Sequence, residues 1–495
     1  MLASYLCRNC TSLILTFFFI LLMPMQDKAY AKPVKTENGL VQGTVEDGLR
    51  IYRGIPYATP PVDELRWKPP QPVTPWEGIR ECTRYSIQAV QYPDMNLPEE
   101  DRKEESSEDC LYLNVHTPAK NDTERLPVMV WLHGGGLRYG NGNWSIYNSP
   151  GLPQHGVVLV TVNSRLGEMG LLAHPLLTKE SPNNASGNYM FLDMIAALKW
   201  VQKNIAAFGG DPGNVTIFGE SGGGDKVVCM LASSLAKGLF HRAICQSGGS
   251  HAFSLSLDES EKIGSRLFAR LGVDKAGDPL AAARALPWEK IVEASQAMGE
   301  ETGGNAVFGG LWEITTDGWF LQDTTYNILD RCEHNAVPMI TCANLGELTG
   351  PGLVYAPDII PAYIKINAAA TKAGKKGYIG VFDQVPGNFR EEGCVSTHAM
   401  EIHFVFGDVD APKQWQTINF MYRAGGAKSD MPVITDAERK VSEEMMQMWT
   451  AFARRGNPSV PGLIDWPAYD EATDNYLYIV DPLQVKNGFS RILEG

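Results

Sequence analysis

Histidine is scarce in this chain, with 9 among 495 residues. Few side chains can therefore act as a base near neutral pH. Beyond position 31 no two cysteines form a C-x-x-C pair, which excludes a zinc ribbon or a dithiol redox motif. A basic excess is also missing: 43 Lys and Arg face 57 Asp and Glu, for a net charge of −14. That balance argues against nucleic acid or an anionic membrane as a partner. No fixed repeat and no long low-complexity tract appears. What remains, 44% hydrophobic and 20% charged, fits a soluble globular protein.

One apolar run stands out, Leu13 to Met23, after the single early cation Arg8 and before Ala29-Tyr30-Ala31. It is shorter than the roughly 20 residues a membrane span requires. The pattern predicts a secretory signal peptide over residues 1–31, cleaved after Ala31, and hence a secreted or periplasmic protein without stable membrane insertion. Seven cysteines remain in the mature chain, an odd number, so at least one thiol is free.

The mature chain, 32–495, reads as one large α/β domain with no linker to divide it. Val128 to Leu132, Val157 to Asn163, Val215 to Phe218, His241 to Gln246 and Pro338 to Ala343 read as strands. Helices are expected over Asn188 to Phe208, Gly222 to Ser233 and Ser442 to Arg455. The helical stretch from Leu257 to Glu300 reads as an excursion from the sheet. Strand–helix alternation implies a mostly parallel sheet with right-handed crossovers.

Glycine triplets follow two of these strands, Gly134 to Gly136 and Gly222 to Gly224. Each glycine within a helix costs about 0.5–1 kcal/mol relative to alanine, so the second triplet needs another reason. Gly219-Glu220-Ser221-Gly222-Gly223 is a G-x-S-x-G motif, whose setting is strand, sharp turn and helix. The turn projects the Ser221 hydroxyl and leaves the Gly222 N–H at a helix N-terminus. His133-Gly134-Gly135-Gly136 follows an earlier strand, where further bare amides would face a substrate carbonyl. A phosphate loop is excluded: Asp225 stands where its lysine belongs, and no Ser or Thr follows Lys226. Asp225 and Lys226 read as helix-surface or supporting polar residues. Arg138, beyond the first triplet, is expected to pair with a nearby protein carboxylate rather than with an acidic substrate group.

A serine nucleophile needs a base, and on such folds the order is Ser, Asp or Glu, then His. Glu347 follows the strand ending near Ala343. His398 and His403 follow Glu347, and composition does not choose between them.

Seven segments carry a resemblance: YRGIPYATPPVDELRW, SEDCLYLNV, WLHGGG, NSRLGEMGLL, the long run GNYMFLDMIAALKWVQKNIAAFGGDPGNVTIFGESGGG, AICQSGG and HAMEIHFVFG. Together they resemble the type-B carboxylesterases, the family that includes cholinesterases and bacterial para-nitrobenzyl-type esterases. The resemblance implies the α/β-hydrolase fold, with helical excursions shaping an active-site gorge. It also implies a Ser-His-Glu triad of Ser221, His398 and Glu347, with oxyanion donors at Gly135, Gly136 and Gly222. Ser247 matches a buried serine that supports the triad. Arg66 with Glu108, and Arg165 with Asp193, match structural ion pairs. A small-molecule ester is the implied substrate, and no metal or organic cofactor is implied. The family's Asp before the acid is Gly346 here, and its following Gly is Leu348. The partner cysteine of the first family disulfide is Ala89 here, which argues against pairing Cys82 with Cys110. Two other classes stay open: an amidase or carbamate hydrolase with the same triad, and a non-catalytic binding protein on this fold.

Overall fold

The computed structural model describes residues 29–91, 105–249, 254–301, 311–350, 356–412, 415, 422, 423, 426–429 and 431–493. Residues 1–28 of the expected leader lie outside them. An eleven-stranded sheet runs through the molecule. In chain order its strands are β1 (Thr44–Glu46), β2 (Leu49–Pro56), β3 (Tyr112–Thr117), β4 (Leu126–Leu132), β5 (Val158–Val162) and β6 (Gly210–Glu220). They continue with β7 (Arg242–Gln246), β8 (Met339–Asn344), β9 (Gly377–Phe382), β10 (Asn475–Ile479) and β11 (Gln484–Asn487). In space the order is β11-β10-β9-β8-β7-β6-β4-β5-β3-β2-β1. The strands from β10 across to β5 run parallel, while β11, β3, β2 and β1 pair antiparallel at the two ends.

The parallel strands are apolar because both sheet faces are covered. In β4, Val128, Val130 and Leu132 point into one core with Leu198 and Val201 of helix α1 (Tyr189–Asn204). Met129 and Trp131 point into the other, where Trp131 meets Phe218 at 4.8 Å and Phe406 at 5.0 Å between ring centroids. Helix α2 (Gly222–Ala232) packs against β6 and β7 and is buried along its whole length. The expected excursion is three helices, α3 (Leu257–Leu271), α4 (Pro279–Arg284) and α5 (Trp288–Glu301).

Boundaries differ from the sequence expectation where local geometry changes. The helix expected to reach Phe208 tightens to a 3-10 turn at Ile205–Phe208 and stops at Gly209, where φ is +86°. The late helix begins earlier, at Asp436, because Thr435 and Glu438 form a capping box. We call it α9 (Asp436–Arg455), after α6 (Leu345–Thr349), α7 (Ile359–Lys372) and α8 (Glu401–Phe406).

Both implied ion pairs form. Arg66 grips Glu108 through two nitrogens at 2.6 and 2.7 Å, and its third donates to the carbonyls of Ala283, Arg284 and Leu286. Arg165 grips Asp193 at 2.6 and 2.8 Å and donates to the Lys68 carbonyl, tying the Pro-rich connection to the body. Cys82 and Cys110 are both free and buried. Residues expected to end the leader are tied in: Ala31 N donates to Gly43 O at 3.0 Å, and Val45 N to Ala29 O at 2.7 Å. No helix among the described residues is long and apolar enough to cross a membrane.

Candidate active site

The β6–α2 junction is a sharp elbow. Ser221 sits at its tip with φ +58° and ψ −128°, a conformation costly for a residue with a Cβ. Bulk is excluded behind it, since a Cβ on Gly223 would lie 2.0 Å from the Leu132 carbonyl oxygen at the end of β4. Ser221 N donates to Gln246 O at 2.9 Å, fixing the tip against β7. The serine is partly exposed, and its hydroxyl has no hydrogen bond to another described residue.

The first glycine triplet arches over this tip. Gly135 and Gly136 take φ of +95° and +56°. The close approach of the two loops is measured at Gly222, whose Cβ, if present, would lie 2.9 Å from Gly136 N and 3.1 Å from Leu137 N. No described residue accepts from the amides of Gly135, Gly136 or Gly222. Gly135 also accepts from Arg138 N and Tyr139 N through its carbonyl, which closes the arch. From below, Lys226 Nζ donates to His133 O at 2.9 Å.

Glu347 and His398 are brought together by α6. Asn344 caps that short helix, its amide donating to Glu347 Oε2 at 2.7 Å. Ser247 Oγ donates to the same oxygen at 2.8 Å. The other oxygen, Oε1, meets His398 Nδ1 in a very short contact. All of this is dry: Glu347 is 0% and His398 3% exposed. The second ring nitrogen, Nε2, lies 3.2 Å from Glu220 Oε1, on the residue just before Ser221. No hydrogen bond joins Nε2 to Ser221 Oγ among the described residues.

Three carboxyls therefore surround one imidazole. Burial alone would push His398 down, but Glu220, Glu347 and Glu401 outweigh it and hold the ring up at about 10. Burial also pushes Glu220 well above the usual carboxylate range, helped by Glu401, Glu347 and Asp225 and opposed by His398. Glu401 is pushed up to about 7 by burial and by Glu347. These shifts compete, because a protonated Glu220 has no charge to lend His398. Burial draws Glu220 toward its neutral acid form, while His398 Nε2, 3.2 Å away, favours its charged one.

His403, which composition left as an alternative base, is packed elsewhere. Its ring stacks on Trp415 at 4.0 Å and bonds Tyr422 Oη at 2.7 Å. Ser247 lies against Glu347, to which its hydroxyl donates. Of the two readings of Lys226, helix surface or polar support, the second fits: it is 0% exposed and donates to His133 O. Arg138 corrects its expected pairing, since no carboxylate among the described residues bonds it and its Nη1 is buried without a partner. Sequence reasoning missed Glu401, which takes bonds from Asn344 Nδ2 at 2.7 Å and Gln246 Nε2 at 3.1 Å. Its place three residues after His398 was the available signal.

Comparison with known proteins places the chain among esterases. The carboxylesterase family model matches residues 31–358 and 358–491. Para-nitrobenzyl esterase of Bacillus subtilis (strain 168) is 31% identical over 501 residues, covering 92% of this chain and 96% of that protein. Fumonisin B1 esterase of Sphingopyxis macrogoltabida is 46% identical over 243 residues, a match spanning 49% of this chain but only 44% of that protein. The solved structure of a thermophilic PNB esterase superposes with a TM-score of 0.78 at 28% identity, over 92% of this chain and 97% of that one. Its likeness assigns the sheet described above to the α/β-hydrolase fold. With nearly the whole described chain matched and full-length esterase relatives beside it, the chain belongs to the carboxylesterase family and is a carboxylic ester hydrolase.

Proposed function

We propose that the chain is a serine carboxylesterase acting through an acyl-enzyme, with Ser221 as nucleophile, His398 as base and Glu347 as the orienting acid. His398 Nε2 takes the hydroxyl proton while Ser221 Oγ bonds the ester carbonyl carbon. Negative charge then collects on the carbonyl oxygen, within the amides of Gly135, Gly136 and Gly222. One such donor contributes about 10²–10³ in rate. Collapse breaks the bond to the alcohol oxygen, which takes the proton from His398. Water repeats the sequence and releases the acid.

A single observation carries this reading. Glu347 fixes Nδ1 of His398 while Nε2 emerges beside the residue before Ser221. The remaining serine–imidazole link is of the kind that tightens when substrate binds. A fluorophosphonate probe tests it. Labelling should map to Ser221, vanish in Ser221→Ala and fall steeply in His398→Ala. Labelling elsewhere would defeat the reading.

Export completes the proposal. The leader is removed after Ala31, and Lys32 onward forms a single α/β-hydrolase domain acting on small-molecule esters. N-terminal sequencing of the exported protein checks it, with Lys32 as the expected first residue.

A further inference from the structure

Arg138 lies two residues beyond Gly136, on the arch that covers Ser221. Its amide donates to Gly135 O at 3.0 Å, and Gly167 N donates to Leu137 O at 2.9 Å, so the turn is held on both sides. Its guanidinium is not matched by a protein anion. Nη1 is buried and has no hydrogen-bond partner among the described residues. Among the described carboxyls, Glu168 feels its charge. Glu168 is itself pushed up to about 7 by burial and is already occupied by Ser295 Oγ at 3.0 Å. Ser295 in turn is fixed by Trp312 Nε1 at 2.6 Å, so this network does not swing round to the arginine.

A partly buried cation without a partner is costly, and arginine presents a planar fork suited to a carboxylate. Two residues of chain span at most about 7 Å, so Arg138 starts no farther than that from Gly136, whose amide faces Gly222 across the elbow. We propose that the preferred ester carries a carboxylate a few carbons from its reacting carbonyl, and that Arg138 binds that carboxylate. The proposal rests on the serine esterase reading and adds the substrate class to it.

Monomethyl glutarate and methyl pentanoate test it, because they differ only in replacing a terminal methyl by a carboxylate. The quantity read is the ratio of kcat/KM, charged over neutral, in wild type, Arg138→Met and Arg138→Lys. The ratio should exceed one in wild type and fall about 10- to 100-fold in Arg138→Met, mostly through KM. Arg138→Lys should recover part of it. A wild-type ratio below one, or an equal loss on both esters, overturns the proposal. If wild type turns over neither ester, the esterase reading has failed and calorimetry with glutarate decides the rest. Binding by wild type that Arg138→Met loses supports carboxylate recognition; equal binding, or none, overturns it.

Discussion

Gly346 N donates to Ser396 O at 2.9 Å, and a Cβ on Gly346 would stand 2.4 Å from that same oxygen. This contact joins the turn that carries Glu347 to the segment that carries His398. Ser396 adds a second stitch, its hydroxyl accepting from Leu345 N at 2.9 Å and donating to Phe382 O at 2.8 Å. The position where relatives are expected to carry an aspartate is therefore occupied by the one residue that fits here.

Gly346→Ala should separate acid from base. A Cβ at that distance forces the backbone to move, and displacement of a catalytic group by about 1 Å can cost on the order of 10² in rate. The expected result is a fall in kcat of that size with little change in KM. Steady-state kinetics on one ester would check it, with circular dichroism to confirm folding.

Ser247→Ala removes one of the donors to Glu347 Oε2 while Asn344 N remains. Loss of a hydrogen bond to a buried charged group costs about 1.5–3 kcal/mol. If half of that appears in the transition state, kcat falls about 4- to 12-fold. Ser247→Thr, which keeps a hydroxyl, should lose less. The comparison of kcat for the two variants is the measurement.

Much of this arrangement was legible before any coordinates. Val128 to Leu132 read as a buried strand because both its faces carry apolar residues. Ser221 was legible because a tight elbow admits so few residue types around it. His398 and His403 were not separable by composition, since what distinguishes them is tertiary: one meets Glu347 and the other stacks on Trp415. Lys226 could be surface or support by sequence, since helical periodicity does not say whether a helix has a wet face, and α2 has none. Glu401 was overlooked because a carboxylate buried among other carboxylates is improbable from sequence alone.

Lys226 should leave a signature in the pH dependence of stability. Burial lowers its ammonium from 10.5 to about 7, with Asp225 opposing. Below about 7 the folded protein bears the full cost of the buried cation. From there up to 10.5 the unfolded chain keeps a proton that the folded form has released, so stability rises with pH. Lys226→Met lacks this titration. The unfolding free energy of wild type relative to Lys226→Met should therefore move in favour of wild type between pH 7 and 10. The shift should be at least about 1.4 kcal/mol, equivalent to one pKa unit. Urea melts of both proteins at the two pH values read it directly.

Glu220→Gln reports which carboxyl governs the base. The acid limb of kcat/KM follows protonation of His398 in the free enzyme. Any charge on Glu220, 3.2 Å from Nε2, stabilises the imidazolium and moves that limb to higher pH. The more of that charge the ring feels, the larger the share of it that stays protonated at neutral pH. Two paths lead out of this state. Glu220 can take up a proton, as its burial favours, or the ring can release one to solvent when substrate enters. The amide of the variant keeps the shape and removes the charge. The acid limb should then move to lower pH, and activity below neutrality should rise relative to the maximum. A pH profile of kcat/KM for both proteins measures the shift, and its size gives the fraction of negative charge that Glu220 carries in the resting enzyme.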